Sequence, residues 1–480
     1  MKVVGISCPL NLGSHVKLTS IHFPLSLGVL LAYLRKNSFE IELWDYNVED
    51  YSKNSFIDRL KKSNPKVIGL AANTPSIKTA HELAKIIKEN LPEAITVIGG
   101  PHASALPTET MEEFPFFDVL VYGEAEDTFV DLCKIIEENK SLNGCLGIVH
   151  RKNKKIIREL ARPLIQDLDK LPYAARDIVD FENYKKAHVE RGLSRKFMNI
   201  MEFMTSRGCP ARCIFCASGA MKPPTVRYRS LNHVLGEIDE CVKNYGTSYV
   251  NLSDDTFTLN KPFVKGFCEA MKKRGLEWGC FTRVDCVTKD MLQMMVDSGC
   301  IRISFGVETG SPRIMAMNGK AVTIDKVKQT FKSAHEVGLR IIDGSFIIGS
   351  HMDENYDDIE QTIKLIKEIK PTFYSVSVIA PLPGTAIYDM MKKDGLIIVE
   401  SWEKFVYIGE KPSWRTKYFS SEELVRLQKY VMRKTYFRLG YLIPLFLRIK
   451  SFNEFRYFFS IGIEAFKDII LQNKKTRYNS

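Results

Sequence analysis

Short apolar runs rich in Val, Ile and Leu, separated by helical patterns, constrain this chain more than any other feature. Val3–Ser7, Ile41–Asn47, Val67–Asn73, Ile95–Gly100 and Val119–Glu124 read as strands, of the kind expected where a parallel sheet is covered on both faces. Helix-like segments lie near 26–36, 55–63, 76–90, 108–113 and 126–137. The alternation predicts an α/β domain with a doubly wound parallel sheet over residues 1–140. A ligand would then sit outside the carboxyl ends of the strands. Residues 141–194 are polar and irregular and read as a linker, with a hairpin tip at Lys152-Asn153-Lys154-Lys155 and punctuation at Pro163 and Pro172. From 195 to 395 the alternation resumes, with strands at Phe197–Thr205, Tyr249–Ser253, Glu277–Thr282, Ile301–Gly306, Arg340–Ile348 and Phe373–Ile379. Six β/α units suit a partial or complete barrel whose site opens at the strand carboxyl ends.

The loops after the N-terminal strands carry ligand-type chemistry. They are Pro9-Leu10-Asn11-Leu12-Gly13, then Asn73-Thr74-Pro75-Ser76, then Gly99-Gly100-Pro101-His102-Ala103-Ser104, then Gly123-Glu124-Ala125-Glu126. Glycine lets a backbone approach a ligand closely, and Ser and Thr hydroxyls bond amides or phosphate. Ordinary turns and helix caps are the competing reading for any one of these loops.

Composition narrows the setting. With 45% hydrophobic and 26% charged residues the chain is globular rather than disordered, and no apolar run nears the ~18–20 residues that span a bilayer. The first residues do not form a signal peptide, so a cytoplasmic protein is expected. Its eleven cysteines are then thiols or ligands rather than disulfides. Residues 396–480 form a helical, basic, aromatic-rich C-terminal domain, with helix-like stretches at Tyr430–Lys450 and Phe452–Leu471. Over 401–480, sixteen Lys and Arg face seven Asp and Glu, and 18 of 80 residues are aromatic. Such a region suits a helical cap on the barrel. It also suits a surface for a large apolar or anionic substrate, such as a lipid or tetrapyrrole, or peripheral membrane contact. No recognised RNA-binding motif accompanies the charge, so nucleic acid is not favoured.

The most specific stretch is Ser206-Arg207-Gly208-Cys209-Pro210-Ala211-Arg212-Cys213-Ile214-Phe215-Cys216. Three thiolates in C-x3-C-x2-C spacing on one loop can hold three irons of a [4Fe-4S] cubane and leave the fourth open. Structural zinc usually takes four ligands in paired knuckles, and no second pair follows here. Zinc and incidental cysteines remain the alternatives.

This spacing resembles the signature of the radical SAM superfamily. Thr205-Ser206-Arg207-Gly208-Cys209-Pro210, Arg227-Tyr228-Arg229-Ser230, Ser253-Asp254-Asp255-Thr256-Phe257, Gly306-Val307-Glu308-Thr309-Gly310-Ser311 and Pro381-Leu382-Pro383-Gly384-Thr385 look like its cobalamin-binding subgroup. The similarity runs over about residues 1–395. It implies a flavodoxin-like cobalamin domain and a radical SAM barrel, with Cys209, Cys213 and Cys216 on a [4Fe-4S] cluster whose open iron chelates S-adenosyl-L-methionine. Reductive cleavage of the sulfonium would give a 5′-deoxyadenosyl radical, the electron coming from an external donor of flavodoxin or ferredoxin type.

Cobalamin would lie against Asn73, Thr74, Ser76, Gly99, Gly100, His102, Ser104, Gly123 and Glu124. S-adenosylmethionine would be met by Asp254, Asp255, Arg283, Glu308 and Ser311. Helix caps or an Arg283–Asp285 ion pair are the plainer readings of the latter set. The D-x-H-x-x-G cobalt-ligand motif is absent and His15 lies out of frame, which implies base-off cobalamin. A domain that has lost cobalamin is the alternative. Subgroup members chiefly methylate unactivated carbon; others resemble the anaerobic magnesium-protoporphyrin monomethyl ester cyclase. A non-catalytic cobalamin- or redox-responsive protein is a further rival.

Overall fold

The computed structural model describes residues 1–10, 21–187, 198–218, 224–398, 402, 405, 412–438 and 440–441. The N-terminal apolar runs form strands β1 (Lys2–Ser7), β2 (Glu40–Asp45), β3 (Val67–Ala71), β4 (Ile95–Gly99) and β5 (Val119–Val121). All five pair in parallel, in the order β2-β1-β3-β4-β5. That is the flavodoxin-like arrangement, with its switch point between β1 and β3. Helices Leu25–Lys36 and Glu126–Glu137 cover one face and Lys53–Ser63 and Ile77–Asn90 the other, so alternate strand residues enter two separate cores.

The strands stop two or three residues short of several predicted ends, because Ala72–Ser76 and Tyr122–Ala125 turn away to begin helices. The sheet also takes in more chain than its parallel core. Strands β6 (Ile148–Lys152) and β7 (Lys155–Arg158) add an antiparallel hairpin to the β5 edge. Its tip falls at Asn153-Lys154, both with positive φ of 49° and 66°, as a type I′ turn requires. Arg162 secures the far end on Thr128 Oγ1 (2.9 Å) and Asp131 Oδ2 (2.5 Å).

The second sheet contains β8 (Ile200–Phe203), β11 (Tyr249–Leu252), β12 (Glu277–Arg283), β13 (Cys300–Glu308), β14 (Ile341–Ile348) and β15 (Phe373–Val378). Between the first two, β9 (Ser206–Arg207) and β10 (Arg227–Tyr228) pair with each other. The six long strands are parallel and in sequence order. β8 and β15 do not pair, so the barrel is partial. One residue of each alternating pair packs outward on the helices: Met201, Phe203, Val250, Leu252, Ile303, Phe305, Ile342, Phe346, Val376 and Val378 all lie in one core.

The C-terminal helix runs over Ser421–Tyr436, starting at a Ser420–Glu423 capping box, nine residues before the predicted start. It lies along β15 and satisfies that edge with side chains. Tyr441 Oη donates to Thr372 O (2.9 Å), Tyr436 Oη to Tyr374 O (2.6 Å) and Gln428 Nε2 to Val376 O (2.7 Å). The predicted helix at Phe452–Leu471, most of the loop Pro9–Gly13, and His15 lie outside the described residues.

The hairpin yields a testable consequence. Ile148 and Val149 are wholly buried, so a fragment ending at 140 strips the β5 edge, whereas one ending at 162 keeps it. Thermal unfolding followed by circular dichroism will be cooperative for 1–162 and shallow for 1–140.

Candidate functional site

The cysteine loop leaves β8 under tight control. Asp254, fully buried at the end of β11, accepts from Thr205 N (3.1 Å), Thr205 Oγ1 (2.9 Å) and Ser206 Oγ (2.5 Å). Burial pushes its carboxyl up while those bonds pull it down, with a net rise. Its oxygens are therefore spent on aiming the loop. Its neighbour Asp255 is exposed; its carboxylate accepts from Ser218 Oγ (2.8 Å) and its carbonyl from Thr256 Oγ1 (2.7 Å).

Gly208 has φ 106°, and a Cβ there would meet Thr225 O at 2.3 Å, so no other residue fits where the loop starts. Cys209, Cys213 and Cys216 are all half-buried thiols. Ile214 N donates to Asn318 O (3.1 Å) and Ile387 N to Ile214 O (3.0 Å), which holds the loop across the barrel mouth. Among the described residues no three His, Cys, Asp or Glu side chains converge on one ion position. A cubane asks for something else, namely separate thiolates each on its own iron, and three cysteines on one pinned loop fit that demand.

Charged pairs ring the mouth. Arg283, at the end of β12, grips Asp285 through Nε (2.9 Å) and Nη2 (2.8 Å), which is the plainer of its two expected roles. Burial pushes the Cys213 thiol up, opposed by the positive charges of Lys320 and Arg283. Glu308 sits at a register shift in β13 with φ 74°, a strained setting for a residue with a Cβ. Lys320 Nζ holds it at 3.0 Å and Gly306 O at 2.7 Å. Ser311 is fully buried, caps the helix Pro312–Met317 and donates to Asp358 Oδ1 (2.6 Å), so its hydroxyl is engaged away from the mouth.

On the N-terminal side, a cavity of about 320 Å³ lies between the sheet and the helices Leu25–Lys36 and Glu126–Glu137. Leu27, Leu30, Gly69, Gly99, Gly100, Ser104, Gly123 and Phe129 line it, and Met204 and Arg207 close it from the barrel side. Gly100 has φ 108°, and a Cβ there would strike Ala72 O at 2.5 Å. Ser104 Oγ accepts from Gly123 N (3.1 Å), fixing the two loops together. The apolar walls and few polar atoms suit one arm of a large cofactor.

Asn73, Thr74 and Ser76 stand apart from this cavity. Ser76 Oγ accepts from Asn73 N (3.0 Å) to close a 3-10 turn, and Thr74 Oγ1 meets His102 Nδ1 (3.2 Å). His102 is buried, its ring edge-on to Trp402 at 5.0 Å, and burial pushes it down to about 4. Trp402 Nε1 in turn donates to Glu113 Oε2 (2.8 Å).

Glu124 is not free for a cofactor either. Its Oε1 accepts from Arg227 Nη2 (2.7 Å) and Arg207 Nη1 (3.2 Å), and its Oε2 from Arg227 Nη1 (2.9 Å) and Ile165 N (3.0 Å). Glu126 takes Arg207 Nη2 at 2.5 Å. Burial opposes the charge on Glu124, but the arginines hold its carboxyl below the usual range. The clamp joins the loop after β5 to both strands that flank the cysteine loop. The sequence reading missed it, although two Glu two positions apart and an Arg on each side of the cysteines were there to be paired.

A doubly wound domain with a cavity at its strand carboxyl ends, clamped to a partial barrel that carries C-x3-C-x2-C at its mouth, defines a cofactor-fusion enzyme of radical SAM type. The Radical SAM superfamily model matches residues 203–366 and the B12 binding domain model residues 15–133. An uncharacterized methyltransferase of Pyrococcus horikoshii is 32% identical over 423 residues, covering 88% of each chain. The anaerobic magnesium-protoporphyrin IX monomethyl ester cyclase of Cereibacter sphaeroides is 26% identical over 463 residues, 92% of this chain and 73% of that one. Among solved structures, OxsB with aqua-cobalamin and S-adenosylmethionine bound has a TM-score of 0.75 at 19% identity, covering 98% of this chain and 72% of that one. TsrM from Kitasatospora setae, with cobalamin and [4Fe-4S] cluster bound, has a TM-score of 0.70 at 17% identity, covering 89% and 90%. The chain belongs to the cobalamin-binding radical SAM enzymes, whose cofactors are a [4Fe-4S] cluster, S-adenosylmethionine and cobalamin.

Two measurements probe this geometry. Glu124→Gln leaves two buried guanidinium groups short of charge and will cost about 3 kcal/mol in denaturant unfolding. The second concerns pH. A histidine depressed to about 4 takes up its proton more readily when unfolded, so stability falls as pH drops below about 6.5. Between pH 7 and 5.5 the native protein will lose about 1 kcal/mol more than His102→Gln.

Proposed function

We propose that this chain is a cobalamin-dependent radical SAM methyltransferase acting on an unactivated carbon. The observation that carries the reading is the Glu124/Glu126–Arg207/Arg227 clamp, which holds the cavity of the B12-binding domain against the cysteine loop. When bound, the cluster supplies the electron that cleaves S-adenosylmethionine, and cobalamin carries the methyl group. Cys209, Cys213 and Cys216 would hold the cluster. Asp255, Glu308 and Arg283 stand at the mouth, where they would bind and orient S-adenosylmethionine. Gly99, Gly100, Ser104 and Gly123 would admit cobalamin to the cavity, with His102 neutral beneath them and kept from solvent by Trp402. Asp254, Glu124 and Ser311 position these groups without touching a cofactor.

Radical chemistry draws its electron from an external reductant, for which a flavodoxin or ferredoxin is the fitting class. All eleven cysteines are free thiols, which suits a reducing cytoplasm, and no helix among the described residues is long and apolar enough to cross a membrane. Relatives include bacteriochlorophyllide methyltransferases of Chlorobaculum tepidum and the cytidylyl-2-hydroxyethylphosphonate methyltransferase of Streptomyces wedmorensis, so tetrapyrrole and cytidylyl-phosphonate substrates both occur among them. The basic C-terminal domain would meet an anionic part of the substrate or a membrane surface. A second reading, radical cyclisation without methyl transfer, rests on the cyclase of Cereibacter sphaeroides, whose similarity extends over 92% of this chain.

The two readings separate on products. Anaerobically reconstituted protein with cobalamin, a strong reductant and S-adenosylmethionine will form both S-adenosylhomocysteine and 5′-deoxyadenosine. 5′-Deoxyadenosine alone would give the cyclase reading instead. Cys213→Ala will abolish cleavage while the cobalamin absorption spectrum persists; turnover retained in that variant would refute the cluster assignment.

A further inference from the structure

The inner wall of the barrel carries polar residues below its mouth. Since Phe203, Leu252, Cys280, Phe305, Phe346 and Val376 pack outward, their strand neighbours face the lumen. Read by strand register, one inward row runs Phe281–Ser304–Asp343–Phe373 and the row above it Arg283–Gly306–Ser345–Ser375. Ser377 pairs with Ile347 one step higher. Below, Ile200, Tyr249 and Ile341 pack together as an apolar plug.

Between plug and mouth, Asp343 Oδ2 accepts from Arg302 Nη2 and Ser304 Oγ, both at 3.0 Å, so the floor is a buried, charge-balanced polar group. Above it the wall is accessible. Phe281 is 39% exposed in the middle of a central strand, and Ser345, Ser375 and Ser377 are half-buried. None of these three hydroxyls is engaged by another described residue.

We infer that the lumen receives a small hydroxylated group, such as a sugar or hydroxyalkyl moiety, as the reacting end of the substrate. The serine hydroxyls on β14 and β15 bond its hydroxyls, and Phe281 takes its apolar face. Serine hydroxyls both donate and accept, which matches hydroxyl groups of the substrate. A tetrapyrrole edge or acyl chain in the same place would strip water from the serines and return no hydrogen bond, at ~1–3 kcal/mol for each group left unmade. The inference rests on the radical SAM reading above but not on methyl transfer, since a cyclase would fill the same lumen.

The test uses the full-length, anaerobically reconstituted holoenzyme with reductant and S-adenosylmethionine. A small-molecule extract of the native cells is split into an aqueous and a chloroform-soluble fraction, and each is added separately. The aqueous fraction will raise the rate of 5′-deoxyadenosine formation and the chloroform fraction will not. Ser345→Ala and Ser375→Ala, each removing one hydroxyl from a half-buried site, will raise the amount of aqueous fraction needed for half-maximal rate by roughly three- to tenfold. Phe281→Leu, which keeps an apolar face, will raise it less than Phe281→Ser. Stimulation by the chloroform fraction, stimulation by neither, or serine variants indistinguishable from the native enzyme would each overturn the inference. Basal S-adenosylhomocysteine and 5′-deoxyadenosine, formed with no fraction added, report on the catalytic reading separately.

Discussion

Everything functional here depends on one buried cluster of charge, two carboxylates of the N-terminal domain set against two guanidinium groups of the barrel. Each sheet has its own core, bridged by only a few aromatic side chains such as Phe181 and Trp402, so buried charge carries much of the relative orientation. Glu124, Glu126, Arg207 and Arg227 fix it, because buried ions tolerate only the arrangement in which each finds its partner. Such a cluster adds little net stability, since desolvation offsets most of the attraction. What it contributes is orientation: β9 and β10 carry the two arginines, and the cysteine loop hangs between them. Asp254 finishes the alignment from the opposite side by taking three donors from Thr205 and Ser206. The position of the cysteines is thus dictated from both domains.

The parallel strands were legible in the sequence because burial on both faces leaves runs of Val, Ile and Leu. The hairpin Ile148–Arg158 was only half legible. Its turn residues announced a tip, yet its outer strand is only four residues long, Lys155–Arg158, and gives no sign of which sheet it joins. The cysteine loop stood out as a feature of the sequence, since its spacing is carried by the residues themselves.

The carboxylates did not. An acid at the end of a strand looks the same in sequence whether it faces a ligand, as Asp255 can, or a neighbouring backbone, as Asp254 does. The ion-pair partners of Glu124 were hidden for the same reason: they lie 83 and 103 residues away. Ser311 and Asn73 belong to local caps whose chemistry imitates that of a binding loop. In each case the deciding fact is a long-range contact or a turn closure, and a single sequence carries neither.

The edge of the barrel has a consequence of its own. A six-stranded arc that does not close would ordinarily present β15 as a ready template for intermolecular pairing. The helix Ser421–Tyr436 and the residues just beyond it prevent this with alternate donors on Thr372, Tyr374 and Val376, a side-chain imitation of the missing seventh strand. The gap can therefore stay wide without a colloidal penalty. The same helix is also built into the barrel's outer core, where Leu424, Leu427 and Val431 are buried. Because Gln428 and Tyr436 lie on the helix and Tyr441 just past it, a sequence change here has to keep donors on both stretches for the β15 edge to stay covered.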